Sequence, residues 1–423
     1  MIQTLYSIVL VILSPLLLCT LLKSKQGKPS VGARWKEYFG FTPKVKNTNP
    51  IWIHTVSVGE TIAATPLIKA IKNKFPEQSI LLTTTTTTGA EQAERLGDLV
   101  EHRYMPIDFA WCVRGFLKNT KPKCMLIMET ELWPNTLHTV AKANIPVSVL
   151  NARLSERSCS RYQKLQGFFS LISSNLDQVL CQHREDAQRF QRLGLASNKV
   201  TITGSLKFDM SVPEFNSEQG ILLREELGNE RPIWVAASTH SGEDEQLLKA
   251  HQILLSAIPN ALLIIVPRHP ERFKAVSKLA LERNLHTISR SSTHTVSANT
   301  QVYLGDTMGE MLTLISASDI CFMAGSLVGD KVGGHNMLEP AALGKPILNG
   351  PSYFNFTDIT KQLIDEKGLL ICKSSEEIAG QLINLFNDEA LRLEMGKNAS
   401  KVVSRNQGAV QKTLDALSAV ISR

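Results

Sequence analysis

Glu60 lies in the stretch His54-Thr55-Val56-Ser57-Val58-Gly59-Glu60-Thr61, at the end of an apolar run. Ser57 and Gly59 suit a turn that opens a helix, with Glu60 in its first turn. A carboxylate there complements the helix macrodipole, and it is also placed to act as general base toward a hydroxyl. Glu129-Thr130-Glu131-Leu132-Trp133-Pro134-Asn135 sets two carboxylates two residues apart at another strand end, pointing the same way. Repulsion between them would raise one pKa. The alternative is a capping arrangement, with Pro134 early in a helix and Trp133 in the core. Asn151-Ala152-Arg153-Leu154-Ser155 offers Arg153 to an anionic group or to a surface ion pair. Gly204-Ser205-Leu206-Lys207-Phe208-Asp209 offers Lys207 to a cleft or to solvent.

The second half carries anion-binding chemistry. Ser238-Thr239-His240-Ser241-Gly242-Glu243-Asp244 puts small hydroxyl residues and glycine ahead of a helix, where backbone N–H groups are free. In Pro267-Arg268-His269-Pro270 two prolines bracket an arginine able to bind phosphate through paired donors. Gly305-Asp306-Thr307-Met308-Gly309-Glu310-Met311 reads as a turn into a helix. The run from Ala324 to Ala342 joins a strand to a glycine-rich loop and then a helix carrying Glu339. Gly333 and Gly334 permit close approach of a phosphate, the N–H groups near Asn336 supply positive potential, and Glu339 can accept from a ribose diol. No GxGxxG follows the first strand and no GxxxxGK[ST] occurs, which removes the main support for dinucleotide and ATP P-loop readings.

The elements that must position these groups alternate. Ile51–Val56, Ile80–Thr84, Met125–Met128, Val147–Leu150 and Gln178–Leu180 read as buried parallel strands. A second series follows: Ile233–Ala237, Leu262–Val266, Val302–Leu304, Ile320–Met323, Pro346–Leu348 and Leu369–Ile371. Amphipathic stretches separate them, among them Asn336–Leu343. Repeated β-α units imply parallel sheets covered by helices, with ligands at the carboxyl ends of the strands. The expectation is an α/β chain of two Rossmann-like, doubly wound domains facing a cleft, divided at a polar break near Met210–Asn229.

Ile2 to Leu22 is uncharged and mostly apolar, about the length that spans a bilayer core. Lys23, Lys25, Lys28, Arg34, Lys36, Lys44 and Lys46 follow, against Glu37 alone, so the positive-inside rule puts the remainder in the cytoplasm. Pro15 leaves a kinked or interfacial helix open. The expected division is a membrane anchor over 1–22, a basic linker over 23–50, one domain over 51–212 and another over 213–423. The net charge of +7 fits anionic lipid or phosphorylated ligands and argues weakly for nucleic acid. Seven scattered cysteines without CxxC spacing read as reduced thiols, not as disulfides or zinc ligands.

The junction Val56–Glu60, Glu129–Asn135, Asn151–Ser155, Lys207–Asp209, Arg268–His269, Gly309–Met311 and Gly333–Pro340, in that order, resemble the 3-deoxy-D-manno-octulosonic acid (Kdo) transferases of lipopolysaccharide assembly. These are inverting glycosyltransferases of GT-B fold, anchored at the inner membrane. The resemblance implies a CMP-Kdo donor, a lipid A precursor (lipid IVA) as acceptor, no metal or other cofactor and no nucleic-acid partner. It implies Glu60 as general base, with Glu131 and Lys207 in transition-state support and Glu129 as the alternative carboxylate. Arg268, His269, Gly309, Glu310, Met311, Asn336, Met337, Leu338 and Glu339 match the CMP-binding positions. Met337 stands where other members can carry proline. The competing readings are a GT-B transferase or epimerase acting on a UDP-sugar, and a non-catalytic, membrane-tethered nucleotide-sugar binding protein.

Overall fold

The structure, a computed structural model, describes residues 2–22, 31–209 and 214–422, with side chains of the first helix described as far as residue 14. Among the described residues, fourteen strands form two seven-stranded sheets. In the first, β1 (Ile51–His54), β2 (Ile80–Thr84), β3 (Glu101–Tyr104), β4 (Cys124–Met128), β5 (Val147–Ala152), β6 (Gln178–Cys181) and β7 (Val200–Ile202) take the order 3-2-1-4-5-6-7. In the second, β8 (Ile233–Thr239), β9 (Leu262–Pro267), β10 (Thr287–Ser289), β11 (Val302–Leu304), β12 (Ile320–Met323), β13 (Ile347–Asn349) and β14 (Leu369–Ile371) take the order 10-11-9-8-12-13-14. Every pairing is parallel; Ile51, for example, lies opposite both Ile80 and Cys124.

Continuous apolar runs become interior strands because helices cover both faces. Along β1, Trp52 joins the core layer containing Leu81, Met125 and Ile127, while Ile51 and Ile53 join the opposite layer with Leu82 and Leu126. Each sheet has one switch point, between β1 and β4 in the first and between β8 and β12 in the second. A crevice opens at the strand ends there.

The chain divides into two units, one made of Met1–Asp209 with Asn406–Arg423 and the other of Met210–Arg405. The expectation of a second domain running over 213–423 is therefore corrected at its end. Leu414, Leu417 and Ile421 of the last helix, Ala409–Ile421, are buried in the core layer of the first sheet. Asp209 caps that helix, accepting from the N–H of Gly408 at 2.6 Å and from that of Val410.

The uncharged N-terminal stretch forms a helix, Ile2–Leu22. Among the described residues no helix is long and apolar enough to cross a membrane. One side of this helix rests on the first unit, where Tyr6 Oη donates to Asp108 Oδ2 at 2.8 Å and the Tyr6 ring packs on Phe168. Lys23, Lys25 and Lys28 lie outside the described residues. Of the stretch expected as a linker, residues 32–39 form a 3-10 helix on the first unit, with Glu37 and Tyr38 buried. Arg34 is drawn inward there, donating to Glu37 at 2.8 Å with its guanidinium over the Tyr104 ring. Cys112, Cys124, Cys159, Cys181, Cys321 and Cys372 are free and buried.

Candidate active site

In the first unit the residues singled out from sequence meet at the switch point. Ser57 caps the helix Val58–Lys74, and Glu60 folds back to accept from the Val56 N–H at 2.8 Å and from Ser57 Oγ at 3.3 Å. The fold-back follows capping-box logic, displaced by one residue. Burial is the main force on this carboxyl. With the charges of Glu129 and Glu131 beside it, burial overcomes the Val56 and Ser57 hydrogen bonds and raises its pKa to about 7. A capping role and a pKa near neutrality thus coexist in one side chain.

Glu129 leaves β4 with φ +57, in the left-handed region that costs a non-glycine residue energy. Its carboxylate meets Lys207 Nζ at 3.2 Å. Glu131 takes the indole N–H of Trp133 at 3.2 Å. The Trp133 ring stands edge-on to His54, 5.7 Å away. His54 is fully buried and its pKa is driven down to about 4 by that burial, so it stays neutral. Lys207 lies on a short turn, Leu206–Asp209, and Asn151 sets that turn. The backbone of Asn151 is held at φ +52 at the end of β5, and its side-chain Oδ1 accepts from the Leu206 N–H at 3.0 Å. Asn151 therefore positions Lys207, a role invisible in its sequence neighbourhood. Arg153 in the same segment is exposed.

In the second unit Arg268, His269, Asn336 and Glu339 gather around two histidines, His240 and His335. His240, after β8, and His335, before the helix Leu338–Ala342, stack 11° from parallel with their Nε2 atoms 2.8 Å apart. One Nε2 must donate to the other, so the neutral pair holds opposite tautomers. The His269 ring meets His240 edge-on at 5.5 Å. Burial first, then neighbouring positive charge including Arg268, drives His240 to about 4 and His335 to about 3. Arg272 is committed to Asp244 and to the Thr239 carbonyl, whereas Arg268 is exposed.

Glu339 is pushed above the usual carboxylate range by burial, a shift opposed by Asn336, whose Nδ2 donates to it at 3.2 Å, and by the charge of Arg268. The helix expected over Asn336–Leu343 is five residues long, Leu338–Ala342. Met337 and Leu338 are buried in the core, so their main chain is what they offer a ligand. Glu310 is the N-cap of another short helix, Met311–Ser316, and pairs with Arg290 at 3.1 Å. Since β11 pairs with β9, the Gly309–Met311 turn and the Arg268 loop leave adjacent strands.

Glu243 organises this region. Fully buried, it accepts from four backbone N–H groups: His240 at 3.0 Å, Gly325 at 2.7 Å, and Ser326 and Leu327 at 2.9 Å each. The loops after β8 and β12 are thereby tied to one carboxylate. Gly325, at φ +74, admits the His335 ring where a Cβ would stand 2.7 Å from it. Among the described residues no group of three or more His, Cys, Asp or Glu side chains is arranged to hold a metal ion.

Residues 33–210 match the family model described as 3-deoxy-D-manno-octulosonic-acid transferase (kdotransferase), and residues 243–402 match glycosyl transferases group 1. A 3-deoxy-D-manno-octulosonic acid transferase of Haemophilus influenzae is 39% identical over 422 residues, covering 99% of this chain and 98% of the relative. The crystal structure of the C-terminal CMP-Kdo binding domain of WaaA from Acinetobacter baumannii shares 35% identity, covering 45% of this chain and 98% of that domain, with a TM-score of 0.43. A UDP-GlcNAc 2-epimerase from Neisseria meningitidis, 14% identical, superposes with a TM-score of 0.51 over 87% of this chain and 99% of its own, a likeness of fold. At 39% identity to that transferase over 99% of its own length, this chain belongs to the family of 3-deoxy-D-manno-octulosonic acid transferases.

Proposed function

We propose that this Kdo transferase takes Kdo from CMP-Kdo and passes it to a hydroxyl of the disaccharide lipid A precursor, lipid IVA, with inversion and without a metal. The observation that carries the reading is the Glu60 carboxyl, poised near neutrality beside Glu129 and Glu131. A general base works best with a pKa close to the operating pH. Glu60 takes the acceptor hydroxyl proton as the oxygen attacks the anomeric carbon. The bond from that carbon to the CMP phosphate oxygen breaks, and CMP leaves with the electron pair. Lys207 and Glu131 support the charge that develops. Arg268, His269, the Gly309–Met311 turn and Asn336–Glu339 hold CMP, with Glu339 on the ribose.

The Ile2–Leu22 helix anchors the enzyme at the inner membrane, with the catalytic units on the cytoplasmic side. Support comes from Leu5, Ile8, Val11 and Ile12, which are exposed, and from the lysines that follow the helix. Removing the helix is expected to release the protein from carbonate-washed membranes.

The test is CMP release from CMP-Kdo with a lipid A precursor. Glu60→Ala should abolish transfer while CMP still binds. Wild-type turnover in that variant would remove Glu60 from the mechanism, and activity with UDP-sugars alone would overturn the donor.

A further inference from the structure

A cavity of about 680 Å³ opens in the first unit, away from the carboxylates yet sharing a wall with them. Its size is that of a small-molecule site, roughly 300–1,000 Å³. Its lining takes in Tyr6 and Leu10 of the N-terminal helix, Met105, Phe109 and Trp111 after β3, and Trp133. The helix wall is fastened in place. Tyr6 donates to Asp108, and Asp108 in turn accepts from the N–H groups of Asn135 and Thr136 at 3.2 and 2.6 Å. Ser7 Oγ adds a bond to Asn135 Oδ1 at 3.2 Å. Trp111 and Val11 line the cavity and are more than half exposed, which places its mouth beside the outward apolar face of the helix. Trp133 also lines the cavity, and its indole N–H donates to Glu131 at 3.2 Å. An apolar pocket lined by a side chain that also holds Glu131 suits an amphiphile, with a polar head at the carboxylates and a hydrocarbon tail in the pocket.

We propose that this cavity binds one fatty acyl chain of the acceptor, so that a bound tail orders Trp133 and through it Glu131. The proposal rests on the acceptor reading above and specifies where the acceptor's lipid goes. Acceptor analogues with one headgroup and stepwise longer chains test it on the full-length protein in detergent. In the wild type, kcat/KM should climb with chain length, by up to about fourfold per buried methylene, and then level off. Leu10→Trp and Val11→Trp, which fill the pocket and its mouth, should flatten that climb. A diazirine at the chain terminus should label Phe109 or Trp111 in the wild type. Equal slopes in wild type and variants, or labelling confined to the outward helix face at Ile8 and Ile12, would assign the tail to bulk lipid and overturn the pocket. Absence of transfer at any chain length would overturn the acceptor reading and the pocket together.

Discussion

Glu60 shows how far a single side chain can be pushed by its setting. Its folded pKa of about 7 lies above the ordinary carboxylate value. In its proposed role as general base it acts when ionised, so kcat/KM should rise with pH and reach half its plateau near pH 7. Removing the base in Glu60→Gln should lower kcat by roughly 10²–10⁴. Glu129→Gln and Glu131→Gln each remove a like charge, so either should move the limb to lower pH. Neither should restore an unperturbed carboxylate, because burial is the larger cause. A pH–rate profile of the three variants checks this. The same shift has a stability consequence of opposite sense. The native state binds the Glu60 proton more tightly than the unfolded chain does, so this group's contribution is complete below the unfolded value of 4.5 and is lost as pH rises through 7. Glu60→Gln should therefore melt higher than wild type at pH 8. Asn151 illustrates what stays hidden at this scale. Its carboxamide holds the Lys207 turn from a left-handed backbone, and neither the partner nor the φ is encoded in its neighbours. Asn151→Ala should cost about 1–3 kcal/mol in thermal unfolding and reduce transfer, whereas Asn151→Gly, free of strain, should lose the positioning with a smaller loss of stability.

Interior strands were legible because burial on both faces demands an unbroken apolar run. Of the four edge strands only the apolar β14 was; β3, β7 and β10 were not, since Glu101–Tyr104 and Thr287–Ser289 are largely polar and Val200–Ile202 is largely exposed. An edge has one neighbour and a wetter surface, so its signal fades. The site motifs stood out for a related reason: most lie just past the carboxyl end of an interior strand, Glu60 after β1 and Glu129 after β4 at a switch point and Arg268 after β9 beside one, whereas Lys207 follows the edge strand β7. Glu243 escaped notice because its four partners come from two loops far apart in sequence. Replacing it strands buried N–H donors, each worth about 1–3 kcal/mol. Glu243→Gln should lower the melting temperature and raise the donor KM, measured by calorimetry and by CMP titration; an unchanged donor KM would mean the β8 and β12 loops do not shape that pocket. Gly325→Ala should act likewise by displacing His335.

For the molecule as a whole, alternating β-α units announced two parallel sheets, yet they said nothing of the chain's return to the first unit after residue 405. An amphipathic helix looks the same whichever sheet receives it. Ending the chain at Arg405 should expose the face of the first sheet that Leu414, Leu417 and Ile421 cover, and leave Asp209 without its helix. The expected outcome is lowered solubility and early, non-cooperative melting of the first unit while the second, Met210–Arg405, unfolds as before; differential scanning calorimetry of the truncated chain would separate the two. The return has a further consequence during biosynthesis. The ribosome must deliver residues 210–423 before the first sheet receives its covering helix. At about 5–20 residues per second that interval is on the order of 10–40 s. Throughout it, the nascent first unit presents an apolar sheet face of its own, and whatever shelters that face during translation sets how much active enzyme each message yields.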